Sequence, residues 1–240
     1  MSLVQALTKH NEPVAIPDSM GACIVAGFNN WDRIHQYRKQ WSAKHPNDCS
    51  EDKWAVEFRQ IIAKKELYQD RFIILSDGYY SAVSPIDIGI EAEKWRCLSM
   101  KIRLEHECTH YFTQRLFGSM RNNLLDELIA DYRGIVVANG RYRSDWFLRF
   151  LGLENFPDCR KTGRLQSYRG QPPLSEGAFT ILAKLVKAAA VNLEQFDTDN
   201  SNYLEQPNAQ AQMLIALTCL TIEELASSFP QEIIQENLAN

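Results

Sequence analysis

The densest cluster of metal-competent side chains in the 240-residue sequence lies between His106 and Asp131. His106-Glu107-Cys108-Thr109-His110 forms an H-E-x-x-H pattern, and Glu127-Leu128-Ile129-Ala130-Asp131 follows after a break at Gly118. On a helix turning about 100° per residue, His106 and His110 lie about 40° apart, with Glu107 at the edge of their stripe. Two imidazoles on one face can hold a metal, and the neighbouring carboxylate can take a proton from a water that the metal activates. A catalytic zinc site needs a third protein ligand and an open position, and Glu127 offers that ligand from the next helix. Asp131, one turn further on, reads as the acceptor that holds one histidine's other ring N–H and fixes its tautomer.

These residues need two helices to position them. From about Glu91 to Phe117 the pattern is that of one long helix, with Leu98, Ile102, Thr109, Phe112 and Leu116 on an arc beside the histidines. Glu105 falls in that arc and must be paired or lie at its wet margin, because an unpaired buried carboxylate is costly. Cys108 points about 160° away from His110 and reads as a small buried hydrophobe. Asn122 or Asn123 can cap the second helix, with Asp126 in its first turn. Glu127, Asp131, Gly134 and Ala138 share one of its faces, flanked by Ala130, and the small residues permit a close approach of the two helices. Tyr132 points away from that face and reads as packing. At about 1.5 Å per residue, His110 lies about 10 Å below the end of the first helix, with Glu127 about 6 Å and Asp131 about 12 Å along the second, so the levels match within side-chain reach.

Upstream, Val14 to Ile16 and Cys23 to Ala26 read as short strands. Helices follow from Trp31 to before Pro46, entered through Asn29-Asn30, and from an N-cap at Ser50. Phe72 to Leu75 and Tyr79 to Val83, flanking Ser76-Asp77-Gly78, predict a β-hairpin. Downstream, a short helix is expected from a cap at Ser144, a solvated basic loop or substrate-facing rim over residues 157–173, and a helix capped by Ser175. Asp197-x-Asp199-x-Ser201 is no calcium loop, because Asn202 and Asn208 stand where glycine and glutamate are required. Thr221 to Glu224 fits a capping box, and Pro230 can open a last helix.

Composition narrows the partners. With 45% hydrophobic residues the chain can bury a sizeable core, as a single domain over 1–240 with a mixed lobe at 1–117 and a helical lobe at 118–240. A net charge of −4 gives no basic footprint for nucleic acid. No run approaches the roughly 20 apolar residues of a membrane helix, and no signal peptide is visible, so a cytoplasmic protein with no membrane partner is expected. Six cysteines without a C-x-x-C pair read as reduced, mostly buried thiols.

The two motifs together resemble the gluzincin, or thermolysin-like, zinc metallopeptidases, whose pattern is H-E-x-x-H followed on a later helix by E-x-x-x-D. The resemblance covers about 30 residues of the chain. It implies an α+β, zincin-like fold: a mixed N-terminal lobe with a small sheet, the H-E-x-x-H helix at the cleft floor, and a helical C-terminal lobe. It also implies one Zn2+ held by His106, His110 and Glu127, Glu107 as general base, and a peptide or protein substrate, whose backbone an edge strand at Tyr79 to Val83 would bind. The metzincin extension is absent, since Thr113 and Leu116 replace its glycine and third histidine. Cys97-Leu98-Ser99 looks like the cysteine segment of peptide deformylase but stands on the same helix as the histidines. A di-iron site would need a second E-x-x-H, which the sequence lacks. In thermolysin-like enzymes a downstream histidine stabilises the oxyanion, yet no histidine follows His110 here. Tyr142, Tyr168, Arg141, Arg143 and Arg169 are the chemically suitable groups downstream, with tyrosine preferred. The competing readings are a non-catalytic metal-binding or interaction protein on a zincin scaffold, and a non-peptide amide hydrolase.

Overall fold

The computed structural model describes residues 21–118, 123–206 and 208–239, without the side chain of Ala26. The expected strand at Val14 to Ile16 and the alternative cap Asn122 lie outside them. The architecture is α+β and mostly helical with a small sheet. Contacts divide the chain near residue 75 and not at 117: one unit contains Cys23–Ile74, and the other contains Leu75–Asn240 with Gly21 and Ala22. The H-E-x-x-H helix therefore belongs with the C-terminal helices.

In the first unit, strand β1 (Ala22–Asn29) leads into helix α1 (Trp31–Lys44), which Asn30 caps by accepting from the Arg33 N–H. Helix α2 (Glu51–Ile62) starts at the Ser50 cap. Strand β2 (Gln69–Leu75) pairs with β1 in a two-stranded sheet among the described residues. Ile34, Trp54, Ile61 and Tyr68 form a small core with Tyr37, Trp41 and Phe58 against it.

The expected hairpin does not form. Residues Tyr80–Ala82 make a tight 3₁₀ turn in which Ser81 and Ala82 take positive φ of 52° and 55°. Three carbonyls around the Asp77-Gly78 corner, those of Ser76, Gly78 and Tyr79, accept from the guanidinium of Arg103 instead of from a partner strand. Tyr80 N–H donates to Ser99 Oγ (2.9 Å), and the Ser81 hydroxyl donates to the Phe150 carbonyl (3.0 Å). These bonds hold a non-glycine left-handed pair that costs about 1–3 kcal/mol per residue in isolation. Their effect is to turn the Tyr80 ring inward onto Phe150, 4.9 Å between centroids. No edge strand is present at Tyr79 to Val83 to receive a substrate.

The short helix α3 (Pro85–Ile88) precedes α4 (Ala92–Phe117), whose first N–H groups are capped by the Glu91 carboxylate and whose end is turned by Gly118 at φ 68°. Helix α5 (Leu124–Asn139) is capped by Asn123, which accepts from Asp126 N–H (3.0 Å). The two helices run antiparallel, with Ile102 level with Gly134, His106 with Asp131 and His110 with Glu127. Gly134 permits the approach, since a Cβ there would stand 2.8 Å from the Ile102 carbonyl oxygen. Glu105 is paired with Arg133 at 3.1 Å.

Helices α6 (Ser144–Leu151), α7 (Glu176–Asp199), α8 (Ser201–Leu204), α9 (Ala209–Thr218), α10 (Ile222–Leu225) and α11 (Pro230–Ala239) complete the unit. Its core includes Trp95, Ile102, Leu128, Tyr132, Phe150 and Phe196. Ser175, the Thr221 capping box and Pro230 start their helices as expected. Ser144 does not cap α6: it lies in the first turn, and its hydroxyl donates to Glu194 (2.5 Å). None of the cysteines forms a disulfide among the described residues, but Cys49, Cys97, Cys108 and Cys219 are exposed and Cys23 and Cys159 half-buried, which corrects the expectation of buried thiols. Cys108 is on the side of α4 away from His110, a face the core does not cover. No described helix is long and apolar enough to cross a membrane.

Candidate metal centre

Side-chain direction on α4 and α5 brings three donors to one point. His106 and His110 are 6% and 5% exposed, and their Nε2 atoms stand 3.0 Å apart. Glu127 offers Oε2 to His106 Nε2 and Oε1 to His110 Nε2, each at 3.5 Å. One ligand atom from each of the three residues lies within 4.8 Å of the others, so the triad could hold a metal ion. Two zinc–nitrogen bonds of about 2.0–2.1 Å at a tetrahedral angle place their nitrogens about 3.3 Å apart, so the observed spacing fits a shared ion.

The hydrogen bonding of His106 supports the same reading. Asp131 is fully buried and accepts from His106 Nδ1 at 2.8 Å. Burial alone would raise the Asp131 carboxyl, but the charge of Arg164, with His106 and Tyr80, outweighs it and holds the pKa down at about 2. An ionised carboxylate only accepts, so His106 Nδ1 carries the proton it donates to Asp131, and Nε2 is the ring nitrogen directed at His110 and Glu127. For His110, burial pulls the pKa down, yet the hydrogen-bonding and charge of Glu127, backed by Glu107 and Asp131, raise it overall. For Glu127, burial pushes up, while His110, His106 and Arg164 bring it below the ordinary carboxylate range. The cluster thus favours positive charge between its donors.

Two residues of this site escaped the sequence reading. Tyr80 donates to Asp131 Oδ1 at 2.5 Å, and its oxygen stands 2.9 Å from His106 Nδ1. Arg164 donates through one terminal nitrogen to Asp131 Oδ2 and through the other to the Tyr80 oxygen at 3.3 Å. Arg164 comes from the segment expected to be a solvated basic loop, which instead contains a 3₁₀ helix at Arg164–Arg169. Gly163 seats it: a Cβ there would be 2.3 Å from the Leu151 carbonyl oxygen, so only glycine lets the segment lie against the end of α6. The signal that could have found Arg164 is the buried Asp131 itself, because a carboxylate on a core-facing helical position demands a cation.

Of the five candidate oxyanion groups, Tyr168 lies nearest in chemical terms. It is half-buried four residues after Arg164, and burial together with the charge of Glu127 pushes its phenol pKa up, so it remains a donor at neutral pH. Arg143 is engaged by Asp145, and Arg169 by Glu176 and the Phe179 ring. Arg141 is exposed. Tyr142 is buried against Tyr132 and Phe147, and its hydroxyl has no hydrogen-bond partner among the described residues. A buried orphan hydroxyl costs about 1–3 kcal/mol. Tyr142→Phe is therefore expected to leave thermal stability equal or higher; a lowered melting temperature in that variant would show that the hydroxyl is satisfied in the fold. Tyr132 is packing, as expected, and donates to Asp197 at 2.9 Å. Asp197 lies within α7, where it also accepts from Tyr142 N–H at 3.0 Å, so this acid serves the core.

A search of curated proteins finds no match, and neither does a search of solved structures. A family model described as a family of unknown function, DUF7005, matches residues 1–229, and the chain belongs to that family.

Proposed function

We propose that this member of the family is a zinc-dependent hydrolase acting on peptide bonds, built on a zincin-like fold. The observation that carries the reading is the convergence of His106, His110 and Glu127 at 3.0–3.5 Å, with the far nitrogen of His106 already committed to a buried carboxylate. The antiparallel packing of the H-E-x-x-H helix on the E-x-x-x-D helix supports the likeness to thermolysin-like peptidases. His106, His110 and Glu127 would hold one zinc ion, which when bound supplies Lewis acidity toward a carbonyl oxygen and acidifies water.

The chain's own groups then have separable tasks. Glu107, half-buried on α4 beside His106, takes the proton from the attacking water and returns it to the leaving amine nitrogen. Asp131 keeps His106 in one tautomer. Tyr168 is the group we assign to the charge that develops on the carbonyl oxygen, in the role that a downstream histidine fills elsewhere. The test is hydrolysis of an unstructured peptide pool by zinc-loaded protein beside Glu107→Gln. Equal cleavage by the two proteins overturns the mechanism.

A further inference from the structure

Tyr80 is unusual in how completely the fold commits to it. The guanidinium groups of Arg103 and Arg164 both lie against its ring, 5.8 and 5.5 Å from the centroid. It packs on Phe150, and its backbone is fixed by Ser99 and by the left-handed residues Ser81 and Ala82. Such backbone geometry in non-glycine residues persists only where the surroundings over-determine it. All of this delivers one hydroxyl to the oxygen of Asp131 that also receives His106 Nδ1–H.

The hydroxyl links Asp131 to Arg164, whose Nε has no hydrogen-bond partner among the described residues. Asp131 Oδ1 accepts from Tyr80 and His106, and Oδ2 accepts from Arg164. The second terminal nitrogen of Arg164 donates to the Tyr80 oxygen. Without that oxygen, the Arg164 nitrogen loses its hydrogen-bond acceptor and keeps only Glu127 at 3.9 Å, and Asp131 Oδ1 keeps His106 as its single donor, so its position against the histidine is less tightly fixed.

We infer that Tyr80 is a positioning residue for the metal centre: its hydroxyl, held by the turn at Tyr80–Ala82, locks Asp131 against His106 and thereby sets how tightly the site binds its ion. This rests on the metal reading above. It assigns Tyr80 no contact with substrate. Groups that orient a ligating histidine typically change metal affinity by about 10–100-fold when removed.

The experiment compares the full chain with Tyr80→Phe, measuring zinc affinity by competition with a chromophoric chelator and recording the visible spectrum of the cobalt(II)-loaded proteins. Phenylalanine keeps the ring on Phe150, so the fold is retained while the hydroxyl is lost. The expected result is weaker zinc binding by about 10–100-fold and an altered cobalt spectrum. In an Asp131→Asn background, Tyr80→Phe should add little, because the hydroxyl acts through Asp131. Should Tyr80→Phe not fold, Arg164→Lys carries the same measurement, since an ammonium lacks the planar fork that sets one donor on Asp131 and another on Tyr80. Wild-type protein that binds zinc, with a variant of equal affinity and identical cobalt spectrum, overturns this inference and leaves the metal centre standing. Wild-type protein that binds neither ion overturns both.

Discussion

If the proposed function holds, Glu107→Gln is expected to retain zinc and to lose hydrolysis by about 10²–10⁴-fold, the range that positioned acid–base catalysis contributes. Metal holding and proton transfer fall to different side chains. A metal would be held by the Nε2 atoms of His106 and His110 and by the Glu127 carboxylate, none of which the substitution touches. Glutamine preserves the side-chain length and polarity at this half-buried position on α4, so helix and packing survive. What disappears is a group able to accept a proton. Metal content equal to that of the parent, together with a fall in kcat, is therefore the signature. A variant with full activity would remove Glu107 from the chemistry, and one that lost its zinc would assign it to binding.

Arg164→Met is expected to have the largest effect on stability, a loss of about 3–5 kcal/mol, because it leaves a buried charge without its cation. Asp131 is fully buried and its outer oxygen is held by Arg164. Domains of this kind are stable by only about 5–15 kcal/mol, so the variant approaches the edge of folding. The acid dependence gives a second readout with a definite sign. With a folded pKa of about 2 against an ordinary 3.8, Asp131 contributes stability that is fully present above the unfolded value and is lost as pH falls from about 4 through 2. That contribution is about 2 kcal/mol. In Arg164→Met the carboxyl rises, so acid unfolding begins at higher pH. Urea midpoints at pH 7 and pH 4 measure both effects; a shift of less than about 1 kcal/mol at pH 7 would show that Asp131 does not depend on this arginine.

The two halves of the site differ in how they are written into the chain. His106, His110, Glu127 and Asp131 are legible because helical periodicity converts spacing into direction, and the caps at Glu91, Gly118 and Asn123 fix where each helix begins or ends. Gly134 and Ala130 mark the close approach in the same local code. Tyr80 and Arg164 are not legible in that way. The segment at Tyr79 to Val83 has the composition and turn of a hairpin, and what overrides it is tertiary: Arg103 captures the carbonyls of the corner, and Ser99 and Phe150 take the polar groups of the turn. Arg164 sits among polar and basic neighbours whose composition matches a solvated loop, and only the contact of Gly163 with the end of α6 brings it inward. The exposed cysteines have a related cause, since cysteine is apolar enough to be expected inside while its burial depends on which helix face is covered.

The central claim is that the residues between His106 and Asp131 hold a metal ion. The direct measurement is the metal content of the purified protein after equilibration with zinc and removal of free ion, beside a His106→Ala control treated in the same way. One zinc per chain in the parent and none in the control is the predicted result; a parent protein that carries no more metal than the control would contradict it.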